Sequence, residues 1–103
     1  MKVLCLGGSG GMGRYAAKAI ANFPEITSIT IADLNDHAAK KFADSLNAKV
    51  SGIGLDVTNS ENLKEVLDQH DVVLNTVGPF FKFGLPILEA SIESGCHYLD
   101  ICD

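Results

Sequence analysis

Short apolar runs alternate along the chain with segments in which apolar residues recur every three or four positions. The apolar runs are rich in β-branched residues and predict five strands, at 3–6, 26–32, 49–55, 71–76 and 97–101. The periodic segments predict four helices, at about 12–23, 35–46, 58–67 and 85–94. Strands that alternate with helices of this length are typical of parallel strands joined by helical crossovers.

Local signals at the predicted helix ends agree with this assignment. Asn35 is a suitable N-cap for the second helix, and Thr58 with Glu61 has the spacing of a capping box for the third. Pro86 is expected in the first turn of the fourth helix, and Gly95 just beyond its last turn. Because crossovers between parallel strands are almost always right-handed, this order predicts an α/β fold with an open, doubly wound, parallel five-stranded sheet ordered 3-2-1-4-5.

Composition narrows the classes of partner. The chain has 103 residues, 8 of them Lys or Arg and 13 Asp or Glu, and its basic residues are scattered. This pattern disfavours nucleic acid, whose phosphates require clustered cations. No apolar stretch approaches the roughly 20 residues of a membrane span, and no signal peptide is apparent. The three cysteines lack zinc-binding spacing, so we expect no metal site and a reducing, cytoplasmic location.

A glycine-rich loop joins the first predicted strand to the first predicted helix. Its spacing is G-x-G-x-x-G, in the sequence Gly8-Ser9-Gly10-Gly11-Met12-Gly13. In a dinucleotide-binding loop the first glycine permits the tight turn, the second lets a pyrophosphate approach the backbone, and the third packs the helix on the sheet. An alternative register, with Gly7 in the first place and then Gly10 and Gly13, has the spacing of short-chain dehydrogenases, and both registers predict a bound nucleotide.

An acidic residue follows the second predicted strand. Asp33 lies 20 residues after Gly13, with Leu34 beside it, where the adenosine ribose of a dinucleotide is expected. A carboxylate at this position accepts hydrogen bonds from the ribose hydroxyls and repels a 2′-phosphate. No Arg follows it, so the sequence favours NAD over NADP, with NADP possible. The alternative role for Asp33 is a structural acid at a strand end.

Two further segments complete the predicted site. After the third strand, Asp56 could accept from the exocyclic amine of adenine and Val57 could cover a ring face; a solvated turn is the alternative. After the fourth strand, a segment is expected beside the nicotinamide, and it comprises Thr76, Val77, Gly78, Pro79 and Phe80. Phe80, Phe81 and Phe83 are predicted to lie in a loop, as a dry wall, a seam to another domain, or core packing.

The glycine loop, Asp33, the stretch 75–80 with Gly84, and the stretch His97-Tyr98-Leu99-Asp100 together resemble the saccharopine dehydrogenase family, specifically its N-terminal NAD(P)-binding Rossmann domain. The resemblance extends over essentially the whole chain. It implies an oxidoreductase acting on C–N bonds of amino acids or polyamine precursors, with a second domain that supplies most of the substrate site and the contacts of a homodimer. Asp100 would then be an acidic residue near the entrance to that second domain.

From this resemblance we expect residues 1–103 to be one domain, the N-terminal fragment of a longer two-domain enzyme, and to be inactive alone. The catalytic residues are unknown from this segment. Because such sheets usually have six strands, the strand count agrees with a fragment. The alternatives are a non-catalytic dinucleotide sensor like the NmrA-like relatives of short-chain dehydrogenases, and a stand-alone domain for AMP-type ligands.

Overall fold

The protein forms one parallel sheet with helices on both faces. The computed structural model describes the backbone of residues 1–7, 11–77 and 80–100, and the side chains of 1–7, 13–77 and 86–99. The elements in chain order are β1 (Lys2–Leu6), α1 (Gly11–Ile20), β2 (Ser28–Asp33), α2 (Asp36–Asp44), β3 (Val50–Gly54), α3 (Ser60–Leu67), β4 (Val72–Asn75), α4 (Phe80–Ser94) and β5 (His97–Asp100). The strands are all parallel in the order β3-β2-β1-β4-β5, which confirms the predicted α/β topology.

The central strand β1 separates two hydrophobic clusters. Val3 and Cys5 face the layer formed by α1 and α2, whereas Leu4 and Leu6 face the layer formed by α3 and α4. Four consecutive buried residues are typical of a parallel strand that is covered on both faces. Burial raises the pKa of the Cys5 thiol to about 12, so this cysteine is an inert part of the core.

The start of the fourth helix differs from the sequence prediction. Helix α4 begins at Phe80, so Pro86 lies inside it and the segment from Phe80 to Phe83 is helical instead of a loop. Further along α4, Ile87 and Ala90 are buried against α3 and the sheet. This packing outweighs the helical hydrogen bond that a proline cannot make. Among the described residues no helix is long and apolar enough to cross a membrane.

The start of the third helix also differs. The N-cap is Asn59, whose side-chain oxygen accepts from the Asn62 amide at 3.1 Å, and the predicted capping box at Thr58 does not form. The Thr58 hydroxyl is engaged elsewhere, as described below. The predicted N-cap of α2 is confirmed, because Asn35 Oδ1 accepts from the Ala38 amide at 3.0 Å.

Candidate functional site

A cavity of about 390 Å³ opens at the carboxyl ends of the strands. It lies beside the point where the strand order reverses between β1 and β4, the usual ligand position in open α/β sheets. Four segments contribute its walls: Gly7 after β1; Ala32, Asp33 and Leu34 at the end of β2; Leu55, Asp56, Val57 and Thr58 after β3; and Val77 after β4. Its volume is in the range of small-molecule sites.

The chain leaves β1 through a left-handed turn at Gly7. The φ angle of Gly7 is +73°, and its N–H donates to the Ala32 carbonyl at 2.8 Å. A glycine is suited to this conformation, which L-residues with a Cβ adopt only at a cost. The left-handed turn thus lies at Gly7, the first glycine of the alternative register.

The predicted loop is only partly described. Gly8, Ser9 and Gly10 lie outside the described residues. Gly11 and Met12 form the first turn of α1, and their side-chain surroundings lie outside the described part of the chain. Gly13 is buried within α1.

Asp33 lies at the end of β2 and lines the cavity. It is half-buried, and its Oδ1 accepts from the Asn35 amide at 3.2 Å. The neighbouring Leu34 also lines the cavity and is 75% exposed, an apolar surface that a ligand can cover. Asp36 is engaged differently, since its carboxylate pairs with Lys40 at 3.0 Å on the exposed face of α2. Thus, of these two acids, Asp33 is the one in the cavity wall.

Asp56 is held as a carboxylate by the turn that follows β3. Its Oδ1 accepts from the Thr58 hydroxyl at 2.6 Å and from the Thr58 amide at 2.9 Å. These two hydrogen bonds hold the pKa of Asp56 below its ordinary value. The group therefore serves as an acceptor at neutral pH. Thr58 was missed as a cavity residue, although the Asp-x-Thr spacing is typical of a turn closed by an Asp side chain.

We expect Thr58→Val to raise the pKa of Asp56 toward its ordinary value, because the hydroxyl donor is lost. Asp56 titrates low in the folded state, so its contribution to stability is present above the unfolded-state pKa and is lost as pH falls through the folded one. An NMR pH titration of the Asp56 side chain measures the change. The control Thr27→Val removes a hydroxyl that donates to the Met1 carbonyl. Equal Asp56 titration curves in the two variants would contradict the assignment.

The segment after β4 also contributes to the cavity wall. The amide and hydroxyl of Thr76 both donate to the Leu6 carbonyl, at 3.0 Å and 2.7 Å. Val77 lines the cavity and donates its amide to Asn75 Oδ1 at 2.9 Å. Gly78 and Pro79 lie outside the described residues, and Phe80 is described only as the start of α4.

The structure thus brings five of the predicted site residues to one cavity, namely Asp33, Leu34, Asp56, Val57 and Val77. Thr76 fixes the cavity wall without being part of its lining. Besides Thr58, the sequence interpretation missed Ala32 and Leu55, which are buried strand-end residues without a distinguishing pattern.

Similarity to known proteins agrees with this geometry. The sequence model of the saccharopine dehydrogenase NADP binding domain matches residues 3–103. A saccharopine dehydrogenase-like oxidoreductase of Mus musculus is 40% identical over 68 residues, which are 65% of this chain and 16% of that protein. A probable mitochondrial saccharopine dehydrogenase-like oxidoreductase of Arabidopsis thaliana is 29% identical over 111 residues, which cover 96% of this chain and 24% of that protein.

Solved structures show the same fold. Apo saccharopine dehydrogenase (L-Glu forming) of Saccharomyces cerevisiae matches with a TM-score of 0.83 and 25% identity, over 96% of this chain and 21% of that chain. A short-chain dehydrogenase/reductase of Veillonella parvula in complex with NADP matches with a TM-score of 0.74, over 96% of this chain and 46% of that chain; at 15% identity it shows the fold alone.

These relatives are several times longer than the matched segment. The chain spans 16% of the mouse protein, 24% of the Arabidopsis protein and 21% of the yeast enzyme. The match to the family model nevertheless extends over nearly all of this chain, and the fold agrees with it. The chain belongs to the saccharopine dehydrogenase NADP-binding domain family.

Proposed function

We propose that this chain is the dinucleotide-binding domain of an oxidoreductase that acts on C–N bonds, and that it binds NAD in preference to NADP. The observation that carries the proposal is the cavity with Asp33 in its wall, at the end of β2. A dinucleotide fits the residues present. The cavity combines apolar walls with two carboxylates, which can accept hydrogen bonds from the ribose hydroxyls and from the exocyclic amine of adenosine. When bound, the nicotinamide would donate or accept a hydride.

Each wall has a role in this proposal. Asp33 accepts hydrogen bonds from the ribose hydroxyls. Asp56, held ionised by Thr58, accepts from the exocyclic amine of adenine, while Leu34 and Val57 cover apolar faces of the ring. The N-terminus of α1, with the loop that precedes it, carries the pyrophosphate on backbone N–H groups. The segment at Thr76 and Val77 leads toward the nicotinamide.

The preference for NAD follows from the charges around the cavity. A 2′-phosphate would carry its negative charge to the position of the Asp33 carboxylate, and like charges at close range cost several kcal/mol. The described residues of the cavity wall include no Lys or Arg that could offset this repulsion.

The rest of the reaction belongs to other parts of the enzyme in this proposal. We place the substrate, an amine of the amino-acid or polyamine-precursor class, at the junction with a further domain, which also forms a homodimer contact. Support comes from the much greater length of the saccharopine dehydrogenase-like relatives. We expect the 103-residue chain alone to bind the cofactor weakly and to turn over no substrate. We place the whole enzyme in the cytoplasm.

We expect calorimetric titration to give tighter binding of NADH than of NADPH. In Asp33→Ala, the affinity for NADH should fall about tenfold, because hydrogen bonds to a charged group are lost, and the preference over NADPH should disappear. The control is Asp36→Ala, which removes an acid three residues away that pairs with Lys40. It should keep the preference of the wild type.

Two results would count against the proposal in different ways. Tighter binding of NADPH than of NADH by the wild type would contradict the NAD preference and leave dinucleotide binding intact. Absence of binding of either cofactor to the folded chain would contradict the proposed binding function itself.

A further inference from the structure

Asn75 is a polar residue in a position that the pattern of the strand assigns to the core. It ends β4, and its side chain is 0% exposed, which among the described polar residues is shared only by Ser91. Val73, two residues earlier on the same face, packs into the cluster beneath α3 and α4. A buried amide is costly unless its groups are hydrogen-bonded, so its partners indicate what it does.

The partners of Asn75 fix the orientation of its amide. The backbone N–H of Val77 donates to Oδ1 at 2.9 Å, and Nδ2 donates to the Tyr98 hydroxyl oxygen at 2.9 Å. Since a backbone N–H can only donate, the oxygen of the amide must face Val77, and the NH₂ group then faces Tyr98. The phenol of Tyr98 reaches this point because β5 pairs with β4 in parallel and Tyr98 lies beside Val73.

The hydrogen bond between Asn75 and the Val77 amide affects the cofactor cavity, because Val77 is part of the cavity wall. Val77 also lies close to Gly7. A methyl group placed on Gly7 would lie 3.1 Å from Val77 Cγ2 and 3.1 Å from Thr76 Oγ1. Thr76 is already tied to the Leu6 carbonyl on the β1 side. Asn75, at the end of β4, accepts from the Val77 amide. The segment Thr76–Val77 is therefore hydrogen-bonded to both β1 and β4.

We infer that Asn75 is a positioning residue for the dinucleotide, itself oriented by Tyr98: it fixes Val77 against Gly7, so that the wall leading to the nicotinamide is formed before the cofactor binds. This inference rests on the proposed function, since it concerns the affinity of the same cavity. A pre-formed wall raises affinity because the segment does not have to be ordered on binding. Asn75 contacts the wall through its amide and acts on the cofactor only through Val77.

The test compares binding and local order in variants of the 103-residue chain. Asn75→Leu removes the hydrogen bonds to Val77 and Tyr98 and keeps the number and branching of the side-chain heavy atoms, and Tyr98→Phe removes only the hydroxyl, which keeps the test available if the bulkier leucine prevents folding. Ser91→Ala is the matched control, because Ser91 is equally buried and its hydroxyl donates to the Ile87 carbonyl within α4, away from the cavity. Titrations with NADH and with AMP are combined with hydrogen exchange at the Val77 amide.

We expect Asn75→Leu to bind NADH about tenfold more weakly, because the hydrogen bond that holds Val77 is lost, and Tyr98→Phe to show a smaller loss, because that bond remains. AMP, which lacks the nicotinamide half, should lose less affinity than NADH. Exchange at Val77 should accelerate in both variants. Ser91→Ala also removes a buried hydrogen bond, but its NADH affinity and Val77 exchange should stay as in the wild type. If Asn75 acted only through overall stability, Asn75→Leu and Ser91→Ala would change these two readouts alike.

The outcomes separate the two ideas. Equal NADH affinity in the wild type and both variants, or equal losses for NADH and AMP, would overturn the role of Asn75 while dinucleotide binding stands. No NADH binding by the wild type would overturn the proposed function and, with it, any action of Asn75 on affinity.

Discussion

Gly52→Ala should lower the free energy of unfolding by about 3 kcal/mol, at the upper end of the usual cost of overpacking a core. Gly52 lies in the middle of β3, and a methyl group there would lie 2.5 Å from both the backbone carbon and the carbonyl oxygen of Ala39 in α2. The obstacle is helix backbone, so no side-chain rotation can relieve it. Helix α2 must move away from the sheet, which opens the cluster that contains Ala39, Phe42 and Ala43.

Thermal unfolding followed by circular dichroism measures this effect. A loss of this size in a domain of about 100 residues lowers Tm by roughly 15 °C. Ser51→Ala is the control, because Ser51 is the preceding residue of the same strand and is exposed; its Tm should lie within a few degrees of the wild type. A Tm of Gly52→Ala equal to that of Ser51→Ala would show that α2 does not pack as closely on β3 as the structure has it.

The same glycine illustrates what a sequence can and cannot reveal about this fold. In the sequence, Gly52 and Gly54 only weaken the prediction of the third strand, because glycine has a low preference for strands. The structure gives the reason for both, since a methyl group on Gly54 would lie 2.8 Å from Asp36 Cβ at the start of α2. Close approach between two elements depends on their packing, which no local pattern records.

The strand order and the doubly wound architecture were predictable for a different reason. They follow from the alternation of apolar runs with amphipathic segments and from the handedness of crossovers, and both are properties of the whole chain. Element ends were less predictable where tertiary contacts compete with local preference. Ile26 was predicted to lie in β2, but the strand begins at Ser28. Ile26 lies in the segment before the strand and is buried there.

For the candidate site, the sequence predicted the carboxylates and missed the contacts that orient them. Asp33 and Asp56 follow strands, so their place at the carboxyl edge of the sheet follows from the topology. The bond between Asn75 and Tyr98 joins residues 23 positions apart, and it depends on the register of β4 with β5. Neither residue carries a local pattern that would distinguish it from a core residue.

Gly7→Ala should weaken NADH binding by about tenfold to a hundredfold, a free-energy cost like that of overpacking a core. Two costs coincide at this position. The φ angle of +73° disfavours any residue with a Cβ by roughly 1–2 kcal/mol. In addition, the new methyl group would lie 3.1 Å from both Thr76 Oγ1 and Val77 Cγ2, so the cavity wall must shift to admit it.

Gly95→Ala separates these two costs, because Gly95 has the same φ of +73° and a methyl group there would meet no atom of the described residues within 4 Å, apart from its chain neighbours. Both variants should therefore lose stability through backbone strain, and only Gly7→Ala should lose affinity as well. Chemical denaturation and calorimetric titration of the two variants provide the comparison. If the two variants bound NADH equally well, the wall at Thr76 and Val77 would not contribute to binding. If only Gly7→Ala loses affinity, Gly7 is required for two reasons. It permits the left-handed turn at the end of β1, and it leaves room for the wall formed by Thr76 and Val77.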